Sequence, residues 1–366
     1  MPDAGLTRST AFDAIDTLIQ LGLIRELPNA RAAGDYSKGR PARRFELQAD
    51  AAVLVGVDAG ANALTATVTD LRSAPLAVHR AHLDPEAHPD MRRAHIAGAV
   101  DAVLADAGVP RDKVLALCIG VPAPVNAAGR SPRHRLGFWQ RMNPQLTEEF
   151  SAWAPALRIE NDALLAAIAE GTVGAAVGCT DYIALLAGTR LGAGVVLDGH
   201  ELRGVHGGAG EMLALAQVKG VESAHGLGVR MREWALEAIA SGEADPAGRL
   251  ALLPPEQIDA ARILELASFG DPDARLIARR CAETLARIVS VLGNMFDPQR
   301  VVVSGAIADG IGVLLDDARD ALPTDLHLPP PDLVVSTMGA DVVVRGAICA
   351  ASTLAVAHAL DVWTAA

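Results

Sequence analysis

One pattern runs twice along this 366-residue chain, and it limits the folds open to it. The first copy begins with Val53-Leu54-Val55-Gly56-Val57-Asp58, an apolar run of strand length that ends in an acid, with Gly60 making the turn. Leu64, Ala66 and Val68 then alternate with Thr65, Thr67 and Thr69, the period of a half-buried strand. A third strand (76–83), a helix (91–107) and the buried strand 114–121, which contains Cys118, complete it. The second copy opens with a strand at 182–186 and another at 192–197. Helices follow around 229–239, 257–267 and 274–295, then strands at 300–304 and 333–336. A last helix, roughly 343 to 359, is apolar on most faces and should be buried. Strands and helices in this order predict α/β layers with mixed sheets, arranged as two lobes with a cleft between them. The expected units are a partial winged helix at 1–48, an N-terminal lobe from 51–162 plus 343–366, and a C-terminal lobe from 163–342.

The end of one strand carries the first chemical signal. The run 156–159 stops at Glu160-Asn161-Asp162, and a helix begins at once with Ala163. Polar groups at the carboxyl end of a strand sit where α/β proteins bind ligands. Asp162 can take a proton from a hydroxyl, and Asn161 can both donate and accept, which suits a polyol such as a sugar. Taken alone, a helix cap at Asn161 or Asp162 explains these residues better.

Net charge is −12, which opposes non-specific binding of nucleic acid by the whole chain. One segment departs from it: from Arg31 to Arg44 there are five basic residues and one acid, a local charge of +4. Just before it, Thr7 reads as an N-cap, and Ala11, Ile15, Leu18 and Ile19 form an apolar stripe at helical spacing that Gly22 ends. An extended piece from Leu23, a basic loop and a strand at 43–47 follow, the pattern of the second half of a winged helix-turn-helix. Thr7, Arg8, Ser9 and Thr10 on the helix, with Arg40 and Arg43 in the wing, are the candidate DNA contacts. Only six residues precede Thr7, so the supporting helices of such a unit are absent; a short amphipathic helix packed on the body is the competing reading. No apolar run approaches a membrane span, and Asp13 and Asp16 break the pattern of a signal peptide. Four dispersed cysteines without a CxxC pair fit a reduced cytoplasm.

Six short motifs in sequence order resemble the ROK family, which contains bacterial sugar kinases and sugar-responsive repressors of the NagC/XylR type. They are Asp58-x-Gly60, Gly120-Val121-Pro122-Ala123-Pro124-Val125 with Gly129, Glu160-Asn161-Asp162-Ala163, Gly188-Thr189 to Gly194, Gly210-Glu211, and Asp297-Pro298 with Val301 to Gly305. The resemblance implies a two-lobed actin/hexokinase-like fold, a ribonuclease H-like duplication, with the partial winged helix at its front. It implies sugar contacts from Asn161, Asp162 and Glu211, and phosphate-type loops at Asp58, Gly60, Gly188, Thr189, Gly192 and Gly305. Phe138 and Trp139 can stack on a sugar or serve as core. Three departures weigh against nucleotide. Ala61 and Asn62 stand where kinases of the family have Gly and Thr. Arg190 stands at a Gly position, where a long side chain can fill the nucleotide pocket or bind a phosphate. The zinc module is missing after Glu211, and His225 is a lone histidine, so no metal is expected.

The expected function is therefore a sugar-responsive transcriptional regulator. Its kinase-like body takes a sugar or sugar derivative, and its partner is operator DNA through a complete N-terminal domain. It works in the cytoplasm as a homodimer or homotetramer, without membrane and without cofactor. The alternative is an ATP-dependent hexose kinase using MgATP, with Asp162 as catalytic base. A third reading is a degenerate body that binds nothing.

Overall fold

The computed structural model describes residues 7–28, 43–323 and 328–364, without the side chains of 8 and 359–364. At the front, α1 (Arg8–Gln20) precedes two short strands, β1 (Ile24–Glu26) and β2 (Phe45–Leu47), which pair antiparallel with Arg25 opposite Glu46. Thr7 caps α1 by accepting the Thr10 N–H at 3.3 Å. Gly22, at φ 70°, turns the chain out of the helix. Leu71 N–H donates to the Ala49 carbonyl at 3.0 Å, joining this unit to the body.

The body is one plan built twice. In the first sheet β3 (Val53–Ala59), β4 (Ala63–Asp70) and β5 (Pro75–His82) form an antiparallel meander. Helix α2 (Pro89–Asp106) then leads to β6 (Val114–Val121). Two short helices, α3 (Phe138–Met142) and α4 (Leu146–Phe150), lead on to β7 (Ala156–Asn161), and β3, β6 and β7 run parallel. Every residue of β6 is buried, as a central strand covered on both faces requires. Helix α5 (Asp162–Val173) crosses to the second sheet, where β8 (Tyr182–Leu186), β9 (Gly192–Leu197) and β10 (His200–Glu201) repeat the meander. Helices α6 (Leu227–Ser241), α7 (Ala260–Ser268) and α8 (Pro272–Phe296) precede β11 (Arg300–Ser304). Helix α9 (Ala308–Asp320) precedes β12 (Asp332–Val335). β8, β11 and β12 run parallel. The two strand orders, β5-β4-β3-β6-β7 and β10-β9-β8-β11-β12, correspond position for position.

Helix α10 (Val342–Thr364) packs against α5, β3 and β6, while α5 also packs on β8 and β9. These two helices form a layer between the sheets. Its core draws Leu54 and Cys118 from the first sheet, Ala184 and Val302 from the second, and Leu165 and Ala347 from the helices. The crossing is tight: a Cβ on Gly346 would collide with the Leu165 carbonyl oxygen, and one on Gly194 with the Ala163 carbonyl. The sequence-based view that no segment reaches membrane length needs correction. Gly339–His358 is long and apolar enough, with a mean hydropathy of 1.6, because Asp341 and Arg345 do not lower the average sufficiently. Half of that window is buried inside the protein, as the apolar faces of a core helix are.

Helix α8 offers a local test. Asp271, buried at its N-cap, accepts the Ala274 N–H at 3.0 Å. Asp271→Ala is expected to cost about 1–2 kcal/mol, read as a melting temperature lower by a few degrees. Asp271→Asn keeps the acceptor and should stay near native. An equal drop in both would show that the cap is not what matters there.

Candidate functional site

The site is built where β7 gives way to α5 without a loop. Asn161 is the N-cap: its Oδ1 accepts the Leu164 N–H at 3.1 Å. Its Nδ2 donates to the Ala123 carbonyl at 3.1 Å and to Asp162 Oδ1 at 3.2 Å. Asn161 thus caps the helix and also fastens the 121–129 loop beside it, and its amide has little capacity left for a ligand. Asp162 Oδ1 also accepts the Ala163 N–H at 2.8 Å. Burial, then the nearby Asp58 carboxyl, pushes Asp162 up to about 7, with Glu211 adding to the effect. An aspartate balanced at that value exchanges a proton with a hydroxyl near neutral pH.

Glu211 reaches the same place from the second lobe. Its residue bridges to Gly192, and the Ala193 N–H donates to the Gly210 carbonyl at 3.0 Å. Asn161, Asp162, Glu211, Phe138, Trp139 and Arg190 line one cavity of about 60 Å³. Burial raises Glu211 above the ordinary carboxylate range, and Arg190 opposes the rise.

Arg190 is the main departure from expectation. Its side chain lines the cavity of Asn161 and Asp162, with the guanidinium carbon 5.9 Å from the centre of the Phe138 ring. A second, larger cleft is not lined by Arg190. It measures about 1290 Å³ and is lined by Gly188, Thr189, Arg232, Arg262, Ala306 and Asp309. Of the loop glycines, Gly188 therefore faces this cleft and Gly192 the small cavity, while Gly305, at φ 91°, turns the chain at the end of β11.

Asp58 lies on β3 and Gly60 in the turn after it. Burial pushes Asp58 up to about 7, against the pull of Arg92. Arg92 escaped the sequence reasoning. It is 1% exposed, and its Nη2 donates to the carbonyls of Ala59 at 2.6 Å and Gly60 at 2.8 Å. Its Nε donates to the Met142 carbonyl at 3.3 Å, so one guanidinium ties the first loop to the end of the helix carrying Phe138 and Trp139. On an amphipathic helix an arginine reads as solvent-facing, and nothing local signals otherwise.

A four-membered ion cluster behind Asn161 was also missed. Arg158 Nη2 lies 2.7 Å from both Glu160 Oε2 and Glu201 Oε2. Arg203 Nη2 lies 2.8 Å from Glu160 Oε2 and 2.6 Å from Glu201 Oε2. Glu160 is 2% exposed, and its Oε1 accepts the Asn161 N–H at 2.9 Å. The cluster clamps β7 of the first sheet to β10 and the turn beyond it in the second.

Of the proposed DNA contacts, Thr7, Ser9 and Thr10 are exposed at the start of α1, with Thr7 Oγ1 3.1 Å from Ser9 Oγ and 2.8 Å from Thr10 Oγ1. Arg43 is already engaged. It forms a bidentate pair with Glu26 at 2.9 and 2.8 Å and lies over the Phe12 and Phe45 rings. Arg40 and the Arg8 side chain lie outside the described residues. His225 pairs with Glu233 at 3.5 Å.

Two duplicated α/β lobes, joined by a pair of crossing helices with acids and glycine loops facing the cleft, define a protein of the actin/hexokinase-like class. The sequence profile of the ROK family matches residues 54–355, and the chain belongs to that family. It is 34% identical over 228 residues to the bifunctional enzyme NanE/NanK of Brucella suis, a match covering 59% of this chain and 40% of that protein. The chain thus spans less than half the length of this curated relative. A ROK family glucokinase from Streptomyces griseus, solved with glucose and AMPPNP, superposes with a TM-score of 0.67 at 24% identity, covering 82% of this chain and 99% of that one. A ROK family transcriptional regulator, a homologue of the Escherichia coli MLC protein, superposes with a TM-score of 0.75 at 20% identity, covering all of this chain and 93% of that one.

Proposed function

We propose that the protein is a sugar-responsive transcriptional regulator whose kinase-like body is a sensor. The observation that carries this reading is the front unit of α1, β1 and β2. The regulator's likeness extends over the whole chain, whereas the glucokinase is matched almost entirely by 82% of it. A phosphoryl-transfer enzyme has no need of a helix bearing exposed Thr7, Ser9 and Thr10 beside a two-stranded wing. In the sensor Asp162 Oδ2 and Glu211 accept ligand hydroxyls, and Asn161 holds the loop that closes over them. Ligand binding biases the relative position of the two lobes, and through it the spacing of paired DNA-binding units in a homodimer or homotetramer on operator DNA.

A second reading, an ATP-dependent sugar kinase, draws on the open cleft of about 1290 Å³ beside Gly188 and Thr189, which is roomy enough for a nucleotide. Gly188 lets a phosphate approach the backbone, Asp58 is the carboxylate available to a hydrated magnesium ion, and Asp162 is placed to take the sugar's proton. MgATP would supply the phosphoryl group.

Thermal unfolding against hexoses, pentoses and amino sugars, each with and without MgATP, separates the two. A ligand at about 100 times its Kd adds about 2.7 kcal/mol of stability. The sensor predicts a sugar-dependent rise that MgATP leaves unchanged and no ADP release. A further rise with MgATP accompanied by ADP would establish the kinase.

A further inference from the structure

Arg190 narrows the chemistry of the ligand. Among the described residues it is the only basic one lining the cavity of Asn161, Asp162 and Glu211. Among the described residues it makes no hydrogen bond and no ion pair, and the Phe138 ring is the group its guanidinium faces. Nearby arginines are used otherwise: Arg158 and Arg203 are spent in the ion cluster, Arg92 on loop carbonyls, and Arg230 on the carbonyls of His225 and Ser223. The residue is exposed, so its donors stand at the mouth of the cavity.

The size of the cavity gives that position its importance. The cavity is small and opens outward, so a bound sugar extends from it to the mouth. The rest of the ligand lies at the mouth, beside Arg190. A guanidinium held against an aromatic face presents its fork of N–H donors in a plane, which matches a carboxylate or phosphate better than single hydroxyls.

We propose that the ligand is an acidic sugar derivative, its carboxylate or phosphate bound by Arg190 at the mouth while its hydroxyls reach Asp162 and Glu211. This inference rests on the sensor reading and names the class of ligand it takes. Burial raises both carboxyls of the inner wall above the ordinary carboxylate range.

The test is calorimetric titration of the full chain, without nucleotide, using matched sets. Glucose, mannose and N-acetylglucosamine are each compared with their 6-phosphates, and the first two with their uronates. Inorganic phosphate and acetate serve as controls. At least one phosphate or uronate should bind about 10-fold or more tightly than its neutral parent. Arg190→Met should bring that pair to within about twofold; the two arms tell phosphate from carboxylate. Equal binding of neutral and acidic members would overturn the inference and leave the sensor standing. So would a preference for the acid that survives Arg190→Met, or free phosphate binding as tightly as the sugar phosphate. Silence across every set would count against the sensor and the inference together.

Discussion

Asp162→Asn is expected to stabilise the protein at pH 8 and to weaken sugar binding by about 10- to 100-fold. Both effects come from one buried carboxyl. In the folded protein it titrates at about 7, against 3.8 for an ordinary aspartate, chiefly because burial disfavours its charge. The folded state therefore holds a proton that the unfolded state has released between about pH 4 and 7. The stability contributed by this group is complete below about pH 4 and is lost as the pH rises through about 7. Asparagine has no such descent. Because the carboxyl is partly open to solvent and coupled to Asp58, we expect about 1–2 kcal/mol, less than the full shift would give. The amide oxygen can still accept the Ala163 N–H, so the start of α5 is preserved. Lost instead is a charged acceptor for a ligand hydroxyl, worth about 1.5–3 kcal/mol. Melting curves of both proteins from pH 4 to 9, with sugar titrations at pH 7, decide the matter. Parallel pH profiles would refute the buried-carboxyl argument, and unchanged affinity would remove Asp162 from the ligand.

Arg158→Met should cost about 1–3 kcal/mol. It leaves Glu160, only 2% exposed, with Arg203 as its sole cation. Glu160 is the buried member, while Arg158, Glu201 and Arg203 are partly exposed, and weakening the pairing of a desolvated charge costs more than the intact pair contributes. Arg287→Met is the control: its pair with Glu283 spans 3.7 Å on the surface of α8 and should contribute well under about 1 kcal/mol. Adding Glu160→Gln to Arg158→Met should recover part of the loss, because the stranded charge is gone. Urea unfolding of the four proteins reads this directly. A loss below about 1 kcal/mol for Arg158→Met would mean that water reaches the cluster and screens it.

The body was legible wherever strands lie between layers. Tyr182–Leu186, Gly192–Leu197 and Arg300–Ser304 have the bounds expected from the sequence, because a strand covered on both faces must be apolar throughout and turns must interrupt it. Helix α9 was not foreseen. Gly310 and Gly312 dilute its pattern, although Ile311, Leu314 and Ala318 form a buried stripe at helical spacing. The acid–amide–acid triplet was legible as a strand end, and Asn161 proved to be a cap as well as a cavity wall. What escaped depends on contacts distant in sequence. Arg158 meets Glu201 across 43 positions, and Arg92 meets Gly60 across 32. Neither partner marks the other locally. The direction of Arg190 is a similar case: the position was conspicuous, but only the packing of Phe138 shows which of two clefts its side chain enters.

The layer formed by α5 and α10 also sets an order of assembly. The inner face of the first sheet is covered by α10, the last of the described elements, although β3 opens the sheet. Until α10 arrives, Leu54 and Cys118 have no lid, and both lobes share a seam that neither can close alone. Contacts of such long sequence separation form slowly and leave apolar surface exposed in the interval. The fold therefore closes only once α10 is in place, and shortening α10 by a turn or two would leave two sheets without the piece that unites them.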